Sequence, residues 1–404
     1  MASHTYFCVD AHTCGNPVRV VAGGAPMLSH VPMAERRLEF VRNHDHVRRA
    51  LMFEPRGHDA MSGSILYPPS SPECDVAVLF IEVSGCLPMC GHGTIGTVTV
   101  AIEEGLVTPR EAGRLALETP AGRVDAVYRM GGRFVDEVRL FNIPSYLHAM
   151  DTRIVVAGLG EIVLDLAYGG NFYAIIEPQP NWPGLDGMTV ADIQRLGPLV
   201  RQAAQSALEP VHPEDPRIRG VSHVMWCDRP RNPRAHARNA VFYGDKGVDR
   251  SPCGTGSSAR MAQLVARGRL KVGDDFVHES IIGTMFDCRV EASRASATAM
   301  RSVRVLAGGR GLPATTRSSW MTAIPWRAGF CSPDVVAAET GRLRGGGCGW
   351  ACGRCRDRGL GRGERNRLPL PAIGAPRLET LPGRDKIGGR ATLHADLVLI
   401  VMTI

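Results

Sequence analysis

Runs of β-branched and aromatic residues alternate with glycine-rich turns through the first 291 residues, which is typical of a chain rich in β-strands. The segments CDVAVLFIEVSG (74–85) and HARNAVFYGD (236–245) are dense in such residues and are bounded by turn formers. Both are therefore predicted to be strands. Each is followed by a cysteine, a glycine-rich corner and a segment of different periodicity.

The segments after the two corners are predicted to be helices. In SSARMAQLVARG (257–268), Met261 and Leu264 have helical spacing and Gly268 stands where a C-cap glycine is expected. The corresponding segment GTVTVAIEEG (96–105) is β-branched and has a weaker helix propensity. Contacts with the rest of the fold are therefore expected to hold this helix.

The two corners belong to an internal repeat. CGHGTIG from Cys90 aligns with CGTGSSA from Cys253, and upstream TCGNPVRVV (13–21) aligns with YGGNFYAII (168–176). Each half thus runs from a Gly-Asn turn through β-rich segments to a Cys-Gly-x-Gly corner, a short helix and a glycine. We predict two related lobes, residues 1–150 around the Cys90 corner and residues 151–291 around the Cys253 corner.

The remaining segment, residues 292–404, differs in composition. It carries 17 Arg, 1 Lys and 17 Gly against 7 acidic residues, with no Tyr and a single Phe, and the change is abrupt. Such a segment buries little apolar surface to offset the entropy of ordering. It is predicted to be either a disordered Arg/Gly-rich extension or the product of a shifted reading frame. We favour the shifted frame, because no linker precedes residue 292.

Charge and composition exclude several classes of protein. The net charge of +7 comes from residues 292–404, because residues 1–291 carry 29 basic and 33 acidic residues. Most of the chain therefore lacks the excess of positive charge that nucleic-acid binding requires. With no signal peptide and no apolar run long enough to span a membrane, a cytoplasmic protein without a membrane partner is expected. Its 12 cysteines are then expected to stay reduced.

The two corners suggest a definite chemistry. A cysteine at the start of a helix lies beside unpaired backbone N–H groups and the positive end of the helix dipole. This environment is expected to lower the cysteine pKa from about 8.5 toward neutrality. Two such corners packed face to face would place an acid and a base on opposite sides of one carbon, which suits racemisation of an amino acid. No nucleotide or other cofactor motif is apparent, so no cofactor is expected.

Four motifs resemble those of the proline racemase family. They are MCGHGTIG (89–96), DRSPCGTGSSARMA (249–262), EPRGHDAMSGSILYPP (54–69) and YGGNFYAI (168–175). The resemblance covers nearly all of residues 4–291 and implies an α+β fold of the diaminopimelate-epimerase type. In that fold two pseudo-symmetric lobes each form a β-rich shell around a central helix, and the active site lies between them.

The resemblance also implies roles for individual residues. Cys90 and Cys253 would be the two acid/base residues of a cofactor-independent reaction on a small imino acid. The residues that would hold the substrate are Gly91, His92, His223, Asp249, Gly254 and Thr255. No metal ligand is implied, and a homodimer is left open.

Two positions distinguish branches of the family. Similar dehydratases carry threonine where Cys253 stands, which favours an epimerase or racemase. Proline racemases typically have asparagine where Gly93 stands, so the sequence CGHG favours 4-hydroxyproline 2-epimerase over proline racemase. The family's segment that completes the first lobe has no recognisable counterpart after Ala292, and the resemblance is therefore expected to end there.

One alternative lies in the basic segment. Cys348, Cys352 and Cys355 have the CxxxCxxC spacing by which some enzymes hold an iron–sulfur cluster, and zinc is a second candidate. The segment is rich in Cys, Gly and Arg, so chance explains this spacing better. A further alternative is an Arg/Gly-rich nucleic-acid-binding extension.

Overall fold

The computed structural model describes residues 4–294 and 397–403, and within them the chain forms one 16-stranded mixed sheet and four α-helices. The helices are α1 (Met33–Met52), α2 (Gly91–Glu103), α3 (Val190–Leu208) and α4 (Gly254–Ala266). The strands of the first half are β1 (Phe7–Thr13), β2 (Asn16–Gly23), β3 (Ser62–Tyr67), β4 (Val76–Glu82), β5 (Gly85–Leu87), β6 (Arg114–Thr119), β7 (Gly122–Gly131) and β8 (Phe134–Val156). Those of the second half are β9 (Gly160–Tyr168), β10 (Phe172–Ile176), β11 (Val221–Asp228), β12 (Ala237–Tyr243), β13 (Gly247–Val248), β14 (Asp275–Glu279), β15 (Met285–Arg294) and β16 (Leu397–Thr403).

Strand pairing repeats in the two halves. The order β1, β2, β3, β4, β6, β7, β8 pairs antiparallel, parallel, antiparallel, parallel, antiparallel and antiparallel. The order β9, β10, β11, β12, β14, β15, β16 has the same sequence of pairings. Helices α1 and α3 stand at equivalent places, as do α2 and α4. The fold is the predicted α+β arrangement of two pseudo-symmetric lobes.

Each lobe encloses one of the repeat-related helices. Residues 91–101 of α2 and residues 254–264 of α4 are all buried. Helix α2 contacts β1, β2, β3 and β8, whereas α4 contacts β8, β9, β10, β15 and β16. This enclosure keeps the β-branched segment of α2 helical despite its weak propensity, because burial of an apolar helix outweighs intrinsic preference.

Strand β8 joins the halves, and the predicted lobe boundary at residues 150 and 151 falls inside it. Its first part pairs with β7 and its last part with β9. Strand β16 lies between β8 and β15 and is antiparallel to both. It belongs to the segment 292–404, so the expectation that no counterpart of the family's closing segment follows Ala292 is wrong for these seven residues. Residues 295–396, and with them the predicted character of the basic segment, lie outside the described residues.

None of the helices in the described parts of the chain combines the length and apolar composition that a bilayer crossing requires.

The longest helix, α1, is fixed at its start by a carboxylate from the sheet. No side chain of its own N-cap residue, Pro32, bonds to its first turn. Glu118 of β6 accepts hydrogen bonds from the Met33 N–H at 2.8 Å and from the backbone and hydroxyl of Ser70.

This carboxylate is held in its charged form. Burial alone would raise the pKa of Glu118, but the hydrogen bonds from Ser70, Met33 and Ser71 hold it below its ordinary value. A depressed pKa contributes stability at neutral pH, and that contribution is lost as the pH falls through the pKa of the folded state.

We expect Glu118→Gln to lower the free energy of unfolding by about 1–3 kcal/mol at pH 7, because charge-assisted hydrogen bonds to the first turn of α1 are replaced by weaker ones. The difference from the unmodified protein should shrink as the pH falls below about 4. Urea unfolding at several pH values measures both effects. Glu111→Gln, at an exposed ion pair with Arg114, is the control and should change little; an equal loss in both variants would contradict the capping role.

Candidate active site

Both corner cysteines are N-cap residues of the central helices, Cys90 of α2 and Cys253 of α4. The two helix starts meet directly. A Cβ atom added to Gly91 would lie 2.6 Å from Cα of Gly254 and 3.0 Å from the backbone nitrogen of Thr255. Only glycine permits this approach, so the predicted face-to-face arrangement of the corners is present.

A second glycine in each corner makes room for the sulfur. A Cβ atom at Gly93 would lie 2.8 Å from Sγ of Cys90, and one at Gly256 would lie 2.9 Å from Sγ of Cys253. The backbone N–H groups of these glycines donate to the sulfurs. The Cys-Gly-x-Gly pattern thus reflects one glycine at the contact between helices and another against the thiol.

The corners differ in backbone conformation. Cys90 is extended, with φ −140° and ψ 109°, whereas Cys253 has φ 63° and ψ 108°, in the region that non-glycine residues rarely occupy. Asp249 supports this conformation through Ser251: its Oδ1 accepts from the Ser251 backbone and hydroxyl, each at 2.8 Å. The Ser251 hydroxyl oxygen in turn accepts from the Cys253 N–H at 3.1 Å. Asp249 therefore shapes the second corner.

The expectation that the helix starts lower both thiol pKa values is wrong for this structure. Burial raises the pKa of Cys90 well above its ordinary value; Glu82, Cys253 and Asp249 raise it further, whereas the Gly93 amide acts in the opposite sense. Burial and then Asp249 likewise raise the pKa of Cys253, against the bonds from Tyr173 and Gly256. Desolvation outweighs the dipole because both residues are only 5% exposed.

His92 lies next to the first sulfur. Its Nδ1 is 3.6 Å from Sγ of Cys90 and 4.0 Å from Oδ2 of Asp249, and its Nε2 is 2.9 Å from Nδ2 of Asn16. Burial lowers the pKa of His92, although Asp249 opposes the change. The imidazole is therefore neutral at physiological pH.

Thr255, at the position equivalent to His92, does not bond to the second sulfur itself. Its hydroxyl is 2.6 Å from Oη of Tyr173, and that phenol oxygen is 3.3 Å from Sγ of Cys253. Asn171 donates through Nδ2 to the Met89 carbonyl at 2.7 Å and to Oγ1 of Thr255 at 3.3 Å. The second corner thus uses a longer connection than the first.

His223 on β11 completes the group. Its ring stacks on Tyr173 with centroids 4.6 Å apart, and its Nδ1 is 2.7 Å from the Ser222 hydroxyl. Burial, followed by the charges of Arg201 and His92, lowers the pKa of His223 to about 3. The structure therefore brings all eight sequence-predicted site residues into one connected cluster. Their substrate-binding roles stay predictions.

Four further residues in this cluster were missed by the sequence analysis as site residues: Asn16, Glu82, Asn171 and Tyr173. The repeated Gly-Asn turn was a signal for two of them. Glu82 is fully buried between the hydroxyls of Ser62 and Ser84, and burial raises its pKa to about 7. Nothing in the local sequence of β4 distinguishes this glutamate from a surface one.

A cavity of about 410 Å³ adjoins the cluster, and Asn171 and Ser222 line it. Arg37, Arg48 and Arg219 also line it. Asp45 lines it as well and forms an ion pair with Arg48 at 2.6 Å, so Arg37 and Arg219 leave an excess of positive charge that favours an anionic group.

Among the residues that the structure describes, no three His, Cys, Asp or Glu side chains form a group that could hold a metal ion. The alternative iron–sulfur or zinc site at Cys348, Cys352 and Cys355 lies outside the described residues.

Comparison with known proteins identifies close relatives. The family model described as proline racemase matches residues 8–331, further along the chain than the expected end at Ala292. A probable 4-hydroxyproline 2-epimerase of Rhizobium meliloti (strain 1021) is 62% identical over 293 residues, which cover 72% of this chain and 88% of the relative. The 4-hydroxyproline 2-epimerase of Ancylobacter novellus is 60% identical over the same length, again covering 72% and 88%.

Two solved structures have a similar fold, each with a TM-score of 0.67 and 31% identity over 75% of this chain. One is a hydroxyproline epimerase from Agrobacterium vitis with bound trans-4-hydroxy-L-proline, of which 89% is covered. The other is a probable proline racemase from Agrobacterium radiobacter K84 with bound carbonate, of which 88% is covered. By sequence match, fold and paired cysteine corners, this chain belongs to the proline racemase family.

Proposed function

We propose that this protein is a 4-hydroxyproline 2-epimerase that interconverts trans-4-hydroxy-L-proline and cis-4-hydroxy-D-proline, with Cys90 and Cys253 as its acid and base. One observation carries the mechanism: two cysteines cap two helices whose first residues touch, Gly91 against Gly254. The relatives at about 60% identity bear this activity in their names.

The reaction needs one thiolate and one thiol. The thiolate takes the proton from the α-carbon, and the electron pair of the broken C–H bond is delocalised onto the carboxylate. The opposing thiol then gives its proton to the other face of the same carbon, so the configuration is inverted. The thiolate and thiol have then exchanged roles, and the return reaction uses them in the opposite sense.

The helix starts suit the substrate carboxylate. Each N-terminus presents unpaired N–H groups and a partial positive charge, and here two such ends face one site. Donors fixed in a buried site stabilise the negative charge that develops on the carboxylate as the proton leaves. The arginine-lined cavity beside the cluster supports entry of an anionic group from solvent.

Two observations favour hydroxyproline over proline as the substrate. The similar Agrobacterium vitis structure holds trans-4-hydroxy-L-proline. In addition, position 93 is glycine rather than the asparagine expected of a proline racemase. A pocket that hydrogen-bonds the hydroxyl of its substrate rejects an analogue that lacks it.

The first prediction concerns the two thiols. Cys90→Ser and Cys253→Ser should each lower kcat for epimerisation by roughly 10²–10⁴-fold or more, because a serine hydroxyl is too weak an acid and base here. Chiral chromatography measures turnover, and mass spectrometry in heavy water should detect solvent deuterium at the α-carbon with the unmodified enzyme. Cys74→Ser, at a buried cysteine just before β4 that belongs to neither corner, is the control. Full turnover by either single variant would refute the two-thiol mechanism.

The second prediction concerns pH. Because burial raises the pKa of both thiols, the required thiolate should become more populated as the pH increases. We expect kcat/KM to increase with pH through neutrality and beyond the ordinary thiol pKa of about 8.5, and to fall only once both sulfurs have lost their protons. A full pH profile in both reaction directions tests this. A maximum on the acidic side of neutrality would contradict it.

The third prediction concerns specificity. The enzyme should turn over trans-4-hydroxy-L-proline with a kcat/KM roughly 10²-fold or more above that for L-proline. Parallel polarimetric assays of the two imino acids on one preparation give the ratio. Equal or better turnover of L-proline would instead assign the chain to the proline racemase branch.

A further inference from the structure

The asparagines of the two Gly-Asn turns occupy equivalent places beside the two thiols. Asn16 and Asn171 are both buried, at 0% and 3% exposure, and their amides point toward the Cys90 and Cys253 corners respectively. An amide nitrogen only donates hydrogen bonds and an amide oxygen only accepts them. The orientation of each amide therefore constrains the protons on its neighbours.

At the first corner the direction is set by the backbone of the other lobe. The Arg250 N–H donates to Oδ1 of Asn16 at 3.2 Å, so the amide nitrogen faces Nε2 of His92. That ring nitrogen must accept, and the proton of the neutral imidazole is consequently on Nδ1. Nδ1–H is the atom that lies 3.6 Å from Sγ of Cys90.

At the second corner a carbonyl sets the direction. Nδ2 of Asn171 donates to the Met89 carbonyl, which fixes the amide orientation, and it also donates to Oγ1 of Thr255. With its oxygen accepting from the amide, the Thr255 hydroxyl can donate to Oη of Tyr173 at 2.6 Å. The phenol proton is then directed at Sγ of Cys253, 3.3 Å away.

We propose that Asn16 and Asn171 are positioning residues. Each sets the direction of a chain of hydrogen bonds whose last group donates to one of the catalytic sulfurs. The first chain runs through His92 to Cys90, and the second through Thr255 and Tyr173 to Cys253. The inference rests on the proposed function only in taking these two cysteines as the acid and the base.

The different lengths of the chains follow from the repeat. His92 and Thr255 are equivalent positions, but the imidazole reaches its sulfur directly and the shorter threonine does not. Tyr173 supplies the missing length from β10, and its stacking on His223 holds the ring in place. The two halves thus deliver one donor to each sulfur with different side chains.

These donors act against the charges that face the thiols. Cys90 is faced by Glu82, Asp249 and Cys253 in addition to His92, and Cys253 is faced by Asp249 and Cys90 in addition to Tyr173. A hydrogen bond to a thiolate favours the charged form, whereas neighbouring carboxylates disfavour it. Removing a donor should therefore make the thiolate at that corner harder to form.

The test is the pH dependence of iodoacetamide alkylation at each cysteine, followed by mass spectrometry. Cys253 is measured in a Cys90→Ser background and Cys90 in a Cys253→Ser background, so that the thiols do not titrate as a coupled pair. Tyr173→Phe and Asn171→Leu should shift the alkylation profile of Cys253 to higher pH by about one unit or more. At any pH below the midpoint of the profile, alkylation should then be roughly tenfold slower. Asn16→Leu should shift the profile of Cys90 in the same way. Each shift should appear only at the cysteine of its own chain.

Tyr168→Phe is the matched control, because it removes a buried hydroxyl that makes no hydrogen bond within the described residues; it should shift neither profile. Tyr173→Phe removes a single oxygen, so we expect it to fold even if an asparagine variant does not. Circular dichroism checks the fold of each variant. An unshifted Cys253 profile in folded Tyr173→Phe, or equal shifts of the Cys90 profile in variants of both chains, would overturn the proposal. If the shifts occur as expected but the unmodified protein has no epimerase activity, the proposed function is refuted and the positioning role is not.

Discussion

The contact between the first residues of α2 and α4 is the constraint on which the rest of the site depends. Two helix N-termini, each with a partial positive charge, meet through glycines in a buried place. Bringing like ends together is unfavourable unless an anion lies between or beside them. The repeated fold imposes this arrangement, because α2 and α4 are the enclosed helices of equivalent halves. A carboxylate ligand then relieves a repulsion that the empty protein has to sustain.

The chemistry of the thiols is a balance between burial and directed donors. Burial keeps water away from the reacting carbon and strengthens every fixed dipole, but it also penalises the thiolate. The Gly93 and Gly256 amides and the side-chain donors beside the sulfurs act against this penalty, whereas Glu82 and Asp249 increase it. The site therefore favours a single negative charge over two, and this suits a reaction in which one sulfur is charged at a time.

The sequence analysis predicted the strands before the corners, the helices after them and the pairing of Cys90 with Cys253, because these depend on local pattern and on an internal repeat. It did not predict Tyr173, since a tyrosine in a buried strand has no local feature that distinguishes a core residue from a donor. The effect of burial on the thiols was also missed. A helix start is visible in a motif, but the depth at which it is buried depends on strands far away in the chain, and here burial was the larger effect.

Strand β16 makes the fold depend on a pairing between distant parts of the chain. Its counterpart β8 follows β7 after a turn of two residues, whereas β16 is separated from β15 by residues 295–396. Closing so long a stretch of chain costs conformational entropy, and distant pairings form late in folding. During synthesis, the edges of β8 and β15 stay unpaired until β16 has been made, although the other strands of both lobes can already form. An unfilled position between two strands is a place where another chain can pair, so the interval before β16 arrives is when this protein is most exposed to aggregation.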